Sequence, residues 1–164
     1  MIKALAFATA MLATPLAAQE SAEMLALLEA HCMPKVQSDA AVNPPLEPAS
    51  EGIADSLLDG QPGRAWTAAN PAIALFDYEG APSCGVFGAG VPQAEFFAAI
   101  DGWIDGMGMV EAPREGDTRR FLADAGDGEV AMLFAMTAPG QNVAVLNALR
   151  LPANDWTNSI LGGN

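Results

Sequence analysis

The chain has 164 residues, 51% of them hydrophobic, and its 7 Lys and Arg stand against 20 Asp and Glu for a formal net charge of −13. A chain of this length is enough for one domain with a core of its own, without several disulfides to hold it. So acidic a surface repels phosphate backbones and anionic membranes, which argues against nucleic acid as a partner.

The N-terminus carries a three-part pattern. Lys3 gives a short positive start, residues 4–12 are apolar apart from Thr9, and Pro15, Ala17 and Ala18 make a small-residue region. That order predicts a cleavable signal peptide over residues 1–18, cut after Ala18. The apolar run is shorter than the roughly 20 residues a spanning helix needs. The residue after the cut is Gln19 and not a cysteine, so no membrane anchor is expected after signal removal. Loss of Lys3 would leave 6 basic residues against 20 acidic ones, a net charge of −14. The predicted location is periplasmic or secreted. In an oxidising compartment the only two cysteines, Cys32 and Cys84, read as one disulfide.

A first helix is expected over residues 20–31, with Met24, Leu25, Leu28 and Cys32 on one face. Pro34 should stop it, and residues 34–49, with four prolines, read as an irregular crossover. A short helix follows over residues 51–59, with Ser50 at its N-cap position and Gly60 as its stop. Strand signals then run over 64–68, 72–78 and 82–87.

Pro92 opens the clearest helix. Phe96, Ile100, Trp103, Ile104 and Met107 recur at the helical period, so all should face the core. Beyond it, 119–123, 130–137 and 143–151 read as a meander, with turns at 126–128 and 139–142. Residues 154–164 look like a loose tail. No internal repeat stands out. The predicted fold is α+β: helices packed on one face of a mostly antiparallel sheet, in a single domain over residues 19–153.

Few residues carry chemistry. Cys32 and Cys84 read as a structural bridge, with no Cys-x-x-Cys to suggest redox work. His31 is the only histidine, and no Gly-x-Ser-x-Gly elbow accompanies it. Gly85, Gly88 and Gly90 precede the Pro92 helix and suit either a tight turn or an anion cradle. They match no nucleotide-binding fingerprint. Arg114, Arg119 and Arg120 gather three cations within seven positions, as an anion or partner contact or as a charged edge strand. Trp66 and Trp156 are candidates to line a groove. Asp101 with Asp105, and Asp124 with Asp127 and Glu129, read as solvated faces or turns before they read as cation ligands. His31 with Met107 and Met109 supplies imidazole and thioether ligands of the kind that select copper(I).

The expectation is an exported, disulfide-stabilised, non-enzymatic binding or accessory protein of the cell envelope. It would take an unidentified protein or small-molecule partner and no cofactor. The best binding candidates are Gly85, Gly88, Gly90, Arg114, Arg119, Arg120 and Trp66. One alternative is a small hydrolase using carboxylates such as Asp77 and Glu79, or His31. The other is metal carriage through His31, Met107 and Met109.

Overall fold

The computed structural model describes residues 16–138 and 140–162. Among the described residues there are eight strands: β1 (Glu47–Pro48), β2 (Gly63–Thr67), β3 (Ile73–Tyr78), β4 (Ser83–Ala89), β5 (Val110–Glu111), β6 (Thr118–Gly126), β7 (Glu129–Ala138) and β8 (Val143–Pro152). They form one antiparallel sheet in the order β1-β2-β3-β4-β8-β7-β6-β5. The order is palindromic. Each half is a four-strand meander ending on a two-residue edge strand, and β4 meets β8 in the middle, with Val86 opposite Leu146. This repetition is topological; the two halves show no matching sequence pattern.

The α+β class, the single antiparallel sheet and the disulfide are as expected. The main core lies on one face of the sheet. It joins Met24, Leu28, Phe96 and Ile100 of the helices to Ile73, Leu75, Val86, Leu133 and Leu146 of the strands, all fully buried. The helices of this layer are α1 (Leu16–Leu27), α2 (Met33–Ser38) and α4 (Gln93–Ile104). Two short helices lie on the opposite face. α3 (Glu51–Leu58) seals Ala65 and Phe76 with Leu58, and α5 (Asp155–Leu161) packs Ile160 and Leu161 near Leu122 and Met132.

Pro34 does not stop the first helix. A π-helical turn, Leu28–Cys32, joins α1 to α2, and the Met33 N–H donates to the carbonyl of Leu28, five residues back. Pro34 then sits in the first turn of α2, where its missing N–H costs little. The wider π turn relieves the clash a proline ring makes with the carbonyl four residues earlier. Irregular chain starts only after Ser38.

Cys32 and Cys84 are both fully buried and bonded, with Cα atoms 5.1 Å apart. The bridge ties the π turn to β4. Closing a loop with a sequence separation of 52 stabilises the fold by up to about 4 kcal/mol in the chain-entropy account.

The C-terminal residues also depart from expectation. Asn154 caps α5: its side chain accepts from the Thr157 N–H at 3.0 Å, and the Thr157 hydroxyl accepts from the Asn154 N–H at 2.8 Å. This reciprocal cap gives residues 155–161 a helix where a loose tail was predicted. Trp103 is only partly buried, and its indole N–H donates to Glu29 at 3.2 Å, which links α4 to the π turn. Trp66 is 7% exposed within the main core, so it lines no surface groove. Residues 1–15 of the predicted signal segment, Pro139 of the last predicted turn, and residues 163–164 lie outside the described residues. Of the described residues, Leu16–Ala18 of α1 fall inside the predicted signal segment.

Candidate functional site

The face of the sheet that carries α3 and α5 is only covered at its two sides. Register fixes what lies between them. Directly paired residues share a face, so Phe87, Val145, Met136 and Thr118 form one row across β4, β8, β7 and β6. Gly85, Asn147, Phe134 and Arg120 form the next row. The side chains of Phe87, Val145, Asn147, Phe134 and Met136 are half-buried. At strand spacings of about 4.8 Å, the strip from β4 to β6 is about 14 Å wide.

Each bank of this strip carries an exposed apolar side chain. Ile53 on α3 and Trp156 on α5, each 39% exposed, are the most exposed large hydrophobic residues among those described. On the α3 side, Ile53, Leu57 and Phe87, with Gly52 and Ser56, line a depression of about 250 Å³. On the α5 side the Arg120 guanidinium lies 5.2 Å from the centre of the Trp156 ring and is held 2.5 Å from Glu115.

The charge around the strip is one-sided. Every Lys and Arg among the described residues is ion-paired: Lys35 and Arg64 with Asp77, Arg114 with Glu111, Arg119 with Asp101 and Glu111, Arg120 with Glu115, and Arg150 with Asp39 and Glu129. The remaining surface charge is carboxylate. Glu51, Asp55 and Asp59 at α3 and Asp155 at α5 are all exposed.

Of the three arginines singled out in the sequence, Arg119 is built into the fold. Arg119 is 4% exposed and lies between the rings of Phe97 and Phe121, at 5.5 and 5.0 Å from their centres. It donates to both carboxylate oxygens of Glu111, at 2.9 and 2.8 Å. Those bonds hold the Glu111 carboxyl below its ordinary value, and the same bonds raise Arg119. Only Arg120 reaches the strip.

The glycines have packing roles. A Cβ on Gly85 would lie 2.3 Å from the Phe76 ring, which leans over it from β3. One on Gly88 would lie 2.5 Å from the Met24 sulfur, so Gly88 lets α1 approach the sheet. Gly90 takes φ +82° in the turn that leads to Pro92. Gln93, at the start of α4, donates to Thr137 at 2.9 Å and to Asp117 at 3.2 Å.

Asp77 is buried in the main layer between Lys35 and Arg64, and Lys35 also donates to the Tyr78 carbonyl at 2.8 Å. Glu79 lies exposed in the following turn. His31 sits half-buried on the π turn, and burial pushes its imidazole below the ordinary value, towards the neutral form. Asp101 is spent on Arg119 at 2.7 Å, and the Asp124 carboxylate accepts from the Gly126 N–H at 2.8 Å. Among the described residues no three His, Cys, Asp or Glu side chains are grouped to hold a metal ion.

Met107 and Met109 do come together, but with Met33 in place of His31. The three line a cavity of about 200 Å³ beside α2, and His31 is not part of the lining. No helix among the described residues is long and apolar enough to cross a membrane. Compared with known proteins, the chain matches no family model, no curated protein and no solved structure.

Proposed function

We propose that this is an exported, non-enzymatic binding protein whose working surface is the apolar strip between α3 and α5. The partner is a protein segment that presents apolar side chains to Phe87, Val145, Met136 and Phe134, and Lys or Arg to the flanking carboxylates. One observation carries the reading: a partly buried apolar floor lies between the exposed Ile53 and Trp156 on a molecule whose described cations are all internally paired. Exposed aromatic and aliphatic anchors beside a hydrophobic floor are what protein interfaces use for most of their energy. The excess negative charge speeds encounter with a basic partner and repels acidic ones. Export rests on the N-terminal pattern and agrees with the formed disulfide.

The test uses an amphipathic Lys/Leu peptide and its Glu/Leu counterpart as probes against the labelled full chain. The Lys/Leu peptide should shift the amide resonances of Phe87, Val145, Met136 and Phe134 in salt-dependent fashion. Trp156→Ser should weaken binding by about tenfold, the size of a modest interface anchor. Equal binding of both peptides, shifts confined to other faces, or self-association of the chain through the strip would overturn the proposal.

A further inference from the structure

The chain has 8 methionines, and three of them meet in one place for reasons of fold, not of sequence proximity. Met33 is the first residue of α2, next to the disulfide that pins Cys32 to β4. Met107 follows the last turn of α4, where its N–H donates to the Ile104 carbonyl at 2.9 Å. Met109 directly precedes β5. Gly108 stands between the two with φ +64°, a backbone conformation that costs a glycine nothing and turns the chain sharply there.

The floor opposite them is made of Ala123, Ala125 and Ala131, and Ala123 pairs directly with Ala131 across β6 and β7. Three long, flexible thioethers around a floor of methyl groups leave a cavity of about 200 Å³ where a core would ordinarily close up. Met107 and Met109 are half-buried, so the cavity is reached from solvent. The polar residues in the lining are the amide Gln37 and the carboxylate Asp124, the only charged one. All three side chains line this one cavity, and methionine's three rotatable bonds let each thioether turn towards its centre.

We propose that Met33, Met107 and Met109 form a three-thioether site for a soft monovalent cation of the copper(I) class. Neutral thioethers select such an ion over zinc, calcium or magnesium, which prefer imidazole, thiolate or oxygen. The nearby carboxylate and the acidic surface raise the local concentration of any cation. Thioether sulfur carries no proton to displace, so binding persists in acid, where imidazole, thiolate and carboxylate sites release their metal. This site is separate from the strip on the other face, and neither proposal depends on the other.

The experiment is a titration of the chain, labelled at its methionine methyl groups, with Ag⁺ as a closed-shell stand-in. It is followed by competition for Cu⁺ against a coloured chelator. One equivalent of Ag⁺ should shift the methyl signals of Met33, Met107 and Met109 together and leave Met24, Met132 and Met136 in place. The shifts should survive at about pH 5. Met107→Leu and Met109→Leu keep volume and fold, and each should weaken Cu⁺ binding by about tenfold or more. Met136→Leu should not. Unmoved methyl signals, an equal response at Met136, or binding lost in mild acid would overturn the assignment.

Discussion

The two halves of the sheet have one topology and two ways of fastening it. In the first, the long helix is bound covalently to the central strand through Cys32–Cys84, and Lys35 of α2 meets Asp77 of β3 beneath it. In the second, α4 has no covalent tie. Asp101 of α4 reaches Arg119 of β6, and Arg119 reaches on to Glu111 of the edge strand β5. The same job, holding a helix to a four-strand meander, falls to a disulfide on one side and to a buried guanidinium between aromatic rings on the other. One fastening answers to reductant and the other to acid.

The largest effect expected from separating these roles is in the shared core. Phe96→Ala removes a fully buried ring from α4 and should cost about 3–5 kcal/mol in urea unfolding. A cost below about 1 kcal/mol would mean that α4 is not seated as described. Next comes the covalent tie. Converting Cys32 and Cys84 together to Ser should cost about 2–4 kcal/mol, with hydrogen exchange rising first in the π turn and β4. Equal loosening of β6 and β7 would erase the distinction between the halves.

The acid-sensitive fastening should show itself through pH. Glu111 has a lowered folded-state value because Arg119 donates to it. Its contribution is therefore complete above the ordinary glutamate range, near pH 4.3, and is lost as pH falls through the lower folded value. Glu111→Gln should cost about 1–2 kcal/mol at neutral pH, and the gap to the parent chain should close in acid. A gap that stays constant down to about pH 2 would contradict this linkage. The smallest effect is at α5: Asn154→Ala should cost about 1 kcal/mol. It should speed exchange in residues 155–161 and leave both halves of the sheet protected.

Periodic segments were legible in the sequence because their faces are long enough to repeat. The α4 stripe of Phe96, Ile100 and Ile104 is buried as its spacing requires, and β6, β7 and β8 fall close to their predicted bounds. β1 and β5 were not legible, since two residues show no alternation. Pro34 misled because a proline forbids one hydrogen-bond pattern, and the chain adopted another. The Asn154–Thr157 cap was visible as letters, but seven residues of mixed polarity carry too weak a period to announce a helix. The strip was hidden for a different reason: it exists only once β4 is placed against β8, some 60 positions away. Met107-Gly-Met109 drew notice by itself; its partner Met33 is set by the packing of α2, which no spacing rule contains.

The palindromic strand order leaves both ends of the sheet in the same state. At one end the outermost strand is Glu47–Pro48, at the other Val110–Glu111, each two residues long and each bearing a carboxylate. Proline offers no N–H to a newcomer, and Glu111 is already claimed by Arg119 and Arg114. A sheet with open, regular edges recruits further chains and grows into fibrils; this one presents short charged stubs at both borders. The chain thus keeps a wide, half-apolar sheet face in water while its outermost strands offer other chains only two residues each on which to polymerise.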